Sequence, residues 1–72
     1  MARVRPGQLR RWRDYPDGAG IFLVLEPQDI HLPAPLGTEQ GWVILDSDSA
    51  QRLLFEADVI DDSELVQEAD DG

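Results

Sequence analysis

Two apolar runs, residues 42–45 (Trp-Val-Ile-Leu) and 53–55 (Leu-Leu-Phe), flank a polar tract of turn formers. This pattern predicts a strand, a tight reversal and a second strand. The strands fall at 41–46 and 51–56, joined by Ser47-Asp48-Ser49-Ala50. Upstream, residues 21–26 read Ile-Phe-Leu-Val-Leu-Glu. Such a strand is apolar on both faces, so half of it needs cover from outside one side of one sheet. Residues 8–14 supply a first strand. Under strict alternation Leu9 and Trp12 cannot share a face, so Trp12 is expected to point away from the core, with a bulge as the alternative. Residues 15–20, Tyr-Pro-Asp-Gly-Ala-Gly, form a turn.

Residues 27–40 form the longest irregular stretch, with Pro27, Pro33 and Pro35 and an unusual load of Ile30, Leu32 and Leu36. Loops of this length are often functional. Pro33-Ala34-Pro35 should be extended and stiff. Residues 57–64 read as one 3₁₀-like turn, and Leu65-Val66-Gln67 as a short closing strand. A competing reading makes 48–58 a helix, with Ser49 as N-cap and Leu53, Leu54 and Ala57 as its apolar face.

The chain has 72 residues, enough for one domain. A domain this small buries only roughly 60% of its unfolded surface. It has no Cys and a single His, His31, so neither a disulfide nor a zinc site is expected, and no cofactor or metal. Stability must come from a compact core, a partner or self-association. No run of about 18 apolar residues exists to span a membrane. Without an apolar leader, synthesis is expected in a cytoplasm, with incorporation into a virion as a possible fate.

The net charge is −9, and it is unevenly placed. Residues 1–13 hold five arginines and no acid; residues 46–72 hold ten acids and one arginine, Arg52. The acidic total argues against nucleic-acid or anionic-membrane binding. The expected organisation is a basic arm at 1–6, a β domain at 7–67 and a disordered acidic tail at 68–72.

The order of elements resembles a family. Gly7-Gln8-Leu9 opens a strand, Gly20-Ile21-Phe22-Leu23-Val24-Leu25 is the second, Gly41-Trp42-Val43-Ile44-Leu45-Asp46-Ser47-Asp48 the third with its turn, and Asp61-Asp62-Ser63-Glu64-Leu65-Val66 the close. This resembles the small SH3-like (KOW-like) β-barrel proteins common in bacteriophage genomes. Two features depart from their pattern: the long 27–40 loop, and the lack of Gly after Asp48. The resemblance implies an all-β, five-stranded SH3-like barrel with a long Pro-rich loop between strands two and three. It also implies a non-enzymatic interaction protein, of a virion or its accessories.

Candidate chemistry is sparse. Asp46-Ser47-Asp48-Ser49 invites a calcium loop, but an EF-hand needs an oxygen ligand at the fifth position, Gly at the sixth and Glu at the twelfth. Those places hold Ala50, Gln51 and Ala57. Ser47, Ser49 and Ser63 lie in no nucleophile-elbow context. The arginines are sharper, because Arg binds carboxylates bidentately and stacks on aromatics. Arg10, Arg11 and Arg13 either grip an acidic partner or pair with Asp61, Asp62, Glu64 or Glu68 of the same chain. If Ile21, Leu23, Leu25, Val43, Leu45 and Val59 fill the core, Phe22, Val24, Trp42 and Ile44 form an exposed patch rimmed by Trp12 and Tyr15. Alternatively, residues 30–36 fold back over that face. The expected partner-binding set is then Trp12, Tyr15, Phe22, Val24, Trp42, Ile44, Arg10, Arg11, Arg13, Leu32, Pro33 and Pro35. The expected partner is a protein or a second copy of this chain. The alternative function is an acidic DNA mimic that inhibits a nucleic-acid-binding protein.

Overall fold

A computed structural model describes residues 4–15 and 20–69. The expected turn at 15–20, the first three residues of the basic arm and residues 70–72 of the acidic tail lie outside the described residues. Among the described residues there are five strands: β1 (Leu9–Trp12), β2 (Ile21–His31), β3 (Thr38–Asp46), β4 (Gln51–Phe55) and β5 (Ser63–Gln67). One helix, α1 (Glu56–Asp62), lies between β4 and β5. The strands form one antiparallel sheet in the order β4-β3-β2-β1-β5. β4 and β5 are its two edges.

The all-β class stands, while several boundaries move. Residues 51–55 are strand, so the helical reading of 48–58 does not hold. The expected 3₁₀ turn is instead a seven-residue α-helix. Glu56 and Asp58 lie in its first turn, where carboxylates suit the helix dipole. Val59 anchors it in the core at 0% exposure. The expected 27–40 loop mostly pairs: β2 and β3 form a hairpin running out to His31↔Thr38. Only residues 32–37 connect them, and Pro33-Ala34-Pro35-Leu36 is a tight turn, not an extended rod. The Leu36 N–H donates to the Pro33 carbonyl at 2.9 Å, and the Ala34–Pro35 peptide is cis. Pro27 is tolerated inside β2 because β1 pairs with β2 only as far as Val24, which leaves Pro27 on an open edge.

The larger correction concerns which face is the core. Phe22 (1% exposed), Val24 (1%), Trp42 (6%) and Ile44 (0%) are buried, together with Val4 and Val59. The residues expected inside, Ile21, Leu23, Leu25, Val43 and Leu45, are only half-buried on the opposite face; of that expected core only Val59 is inside. The physical reason is size. Phe and Trp bury about 150–250 Å² each, so the face carrying them gains most by being covered. Trp12 also points inward, stacked on Phe22 with ring centroids 4.5 Å apart, and Leu9 faces outward. Val4 reaches the core, so the N-terminal segment is docked from that residue onward.

A bulge shapes the hairpin. Val24 pairs with Ile44 and Glu26 with Val43, so Leu25 is an extra residue in β2. Leu25 and Glu26 both sit opposite outward-facing Val43. Beyond this point Pro27, Asp29 and His31 take the inner side, and Gln28, Ile30 and Leu32 the outer. His31 Nδ1 accordingly meets Thr38 Oγ1 at 3.4 Å on the inner side. On the outer side Ile30 lies over Gly41, where an added Cβ would come within 2.6 Å of the Ile30 side chain.

Candidate docking surfaces

The outer face of the sheet is aliphatic across its centre. Leu9, Leu23 and Leu45 align across β1, β2 and β3. Val43 and Leu53 align across β3 and β4, and Ile21, Leu25 and Ile30 extend the strip along β2. The buried residues of α1 and the N-terminal segment, Val59 and Val4, pack on the inner face. Among the described residues no layer covers the outer one. Leu53 is 42% exposed there. Beyond the core, the hairpin ends in a tip carrying half-buried Leu32, exposed Pro33 and Pro35, and Leu36 at 69% exposure.

The inner face closes around a polar knot at β1. Arg10 alternates with Arg11 along the strand and is buried. Its Nε donates to Ser63 Oγ at 2.8 Å, and its terminal nitrogens to the Ser63 carbonyl and Gln8 Oε1, each at 3.4 Å. The Ser63 hydroxyl in turn donates to the Val59 carbonyl. Helix α1 has no basic residue in its last turn. Arg10 supplies that cation from a neighbouring strand, where the helix's carbonyl dipoles favour it. Burial, and then the charge of Arg13, hold the Arg10 guanidinium below its ordinary pKa. Gln8, also buried, donates to Glu68 Oε1 at 2.8 Å, and that bond keeps the Glu68 carboxyl below its usual range.

Arg11 takes the outer side and forms an ion pair with Glu64. That hydrogen bond, with the charge behind it, lowers the Glu64 pKa. Arg52 is tied to Asp46, Nε to Oδ2 at 2.6 Å. Arg13 is exposed, and its backbone N–H donates to the Asp62 carbonyl at 2.9 Å. Of the intramolecular pairings weighed for the arginines, Arg11–Glu64 is the one that forms.

At one end of the sheet, Trp12 and Tyr15 line a cleft of about 150 Å³ with Gly20, Ile21, Asp46, Asp48 and Arg52. Tyr15 is 53% exposed, its ring seated on Gly20, where a Cβ would stand 2.7 Å away. Among the described residues no three His, Asp or Glu side chains gather as metal ligands.

The structure therefore divides the expected partner-binding residues. Phe22, Val24, Trp42 and Ile44 are core, and Arg10 is an internal clamp. Trp12 is shared between core and cleft. Tyr15, Arg11, Arg13, Pro33 and Pro35 are at the surface, with Leu32 half-buried, but Tyr15 and the prolines belong to different regions. The outward aliphatics Leu9, Leu23, Leu25, Val43, Leu45 and Leu53 were missed as a surface. The signal that could have found them was the position of the bulky aromatics on the other face. Comparison with protein-family models, curated proteins and solved structures finds no match to this chain.

Proposed function

We propose that the chain is a non-enzymatic protein–protein interaction module, built as a small SH3-like barrel, that docks on a larger assembly through the outer face of its sheet. The strand order β4-β3-β2-β1-β5, with a short helix between β4 and β5, supports the SH3-like reading. The phage resemblance extends the proposal to a structural or accessory role on a virion. The observation that carries the docking reading is the half-buried aliphatic row Leu9–Leu23–Leu45, continued by half-buried Val43 and by Leu53 at 42% exposure. A solvated sheet face is ordinarily polar, and large exposed apolar patches mark interaction sites. Glu26, beside Val43, and Glu39, opposite Ile30, give this face an acidic border. Its partner is a protein with an apolar centre and basic rim.

One observation favours a second reading, the DNA mimic. A basic arm would weaken mimicry, yet Arg10 is buried and Arg11 and Arg52 are neutralised by Glu64 and Asp46. Capture from an extract of the producing cells separates the two. Apolar docking survives high salt and is lost in Val43→Lys. Mimicry is lost in high salt and survives Val43→Lys. Retention of the same captured protein by Val43→Lys in high salt would remove the face from consideration.

A further inference from the structure

The two edges of the sheet are finished differently. β5 skips Val66 between its pairings Leu9↔Gln67 and Arg10↔Leu65, a bulge that interrupts the strand. β4 has no such guard: its register with β3 is unbroken from Gly41↔Phe55 to Leu45↔Gln51. The Asp46 N–H donates to the Ala50 carbonyl at 2.8 Å. Bonded and non-bonded pairs alternate along an antiparallel ladder. Ile44↔Arg52 and Trp42↔Leu54 are therefore bonded pairs, and Gln51, Leu53 and Phe55 turn their N–H and C=O groups away from β3. Among the described residues nothing takes up the outward groups of Gln51 and Leu53, whereas the carbonyl of Phe55, the N-cap of α1, already serves the first turn of the helix.

We infer that this edge pairs with the same edge of a second copy, antiparallel, about a two-fold axis at Leu53. Leu53 then faces its own equivalent and exchanges two hydrogen bonds with it, and Gln51 faces Phe55 of the second copy, whose N–H donates to the Gln51 carbonyl. The strand is self-complementary in backbone and carries no acid to repel its own copy. It crosses the acidic half of the chain, yet reads Gln-Arg-Leu-Leu-Phe with no acid. A two-fold contact of this kind is isologous and stops at two copies. The inference rests on the interaction reading above, but it uses the edge of the sheet and not its face.

Sedimentation equilibrium of the full chain across concentration and salt tests it. The expected species is a dimer of the 8.1 kDa chain, tightened by salt because two copies of charge −9 repel. Leu53→Lys sets like charges face to face across the axis and raises the dissociation constant about tenfold. Leu53→Pro removes an outward N–H and no bond to β3, so it yields a folded monomer, with circular dichroism and Trp fluorescence checking the fold. Val66→Lys, on the other edge, leaves the dimer unchanged. The inference is overturned by a chain monomeric at every concentration, or by a dimer indifferent to both Leu53 substitutions. It is also overturned by an assembly of more than two copies that Val66→Lys breaks. A dimer lost only in Val43→Lys would overturn the edge and leave the face reading standing. A Leu53-sensitive dimer whose captured partner ignores Val43→Lys would do the reverse.

Discussion

The two faces of the sheet are almost equally apolar, yet only one is a core. The inner face pairs Phe22, Val24, Trp42 and Ile44 with Val4 and Val59 from outside the sheet. The outer face carries Leu9, Leu23, Val43 and Leu45 at half burial. Hydropathy alone does not choose between them. Side-chain volume does, together with the second layer that α1 and the N-terminal segment supply on one side only. The adjacent residues Arg10 and Arg11 show the same division in polar form. One is a buried clamp bonded to Ser63 and Gln8, the other a half-buried partner of Glu64.

The widest gap between the faces should appear on truncation. Phe22→Ala is expected to cost about 3–5 kcal/mol and Leu23→Ala about 1 kcal/mol, measured by urea unfolding. Equal costs would mean that both faces are covered. The arginines sharpen the contrast. Arg10→Ala strands the Ser63 acceptors, while Gln8 Oε1 keeps the Arg5 N–H, and should cost about 2–3 kcal/mol, against about 0–1 kcal/mol for Arg11→Ala. At Gly41 the outer face is tight in one spot. Gly41→Ala drives a methyl into Ile30 and the Gln28 carbonyl, 2.6 and 2.8 Å away, and should cost about 1–3 kcal/mol in the same measurement. The smallest effect is acid-dependent. Arg11 lowers the Glu64 pKa in the folded state, so this pair's contribution is full above the unfolded value of about 4.3 and fades as pH falls through the folded one. Thermal unfolding between pH 5 and 3, read as wild type against Glu64→Gln, should show the difference closing toward low pH.

Much of the fold was legible in the chain. The runs at 21–25, 42–45 and 53–55 mark β2, β3 and β4, and Leu65-Val66-Gln67 marks most of β5. The faces were not legible, because residues 21–25 are apolar on both sides and alternation carries no sign there. The hairpin was hidden for a different reason. Pro27 reads as a strand breaker, and only the early end of β1 pairing makes its missing N–H harmless. The bulge at Leu25 has no Gly or Asn to announce it. Arg10 reads as a surface charge because its acceptors, Ser63 and Gln8, come from the far end of the chain and from the residue just before β1. The apolar excess on both sides of these strands is thus visible in the chain, while the burial of Phe22, Val24, Trp42 and Ile44 is not.

The three elements β4, α1 and β5 follow one another with no connecting residue: Gln51–Phe55, Glu56–Asp62, Ser63–Gln67. The helix is thus a spacer of fixed length between the two margins of the sheet. Inserting one residue into it would turn everything downstream by about 100° and swing Val59 or Ser63 out of place. The turn at residues 33–36, by contrast, can lengthen without disturbing either margin. The tip of the hairpin is thus a door through which this protein can change size while both margins stay in place.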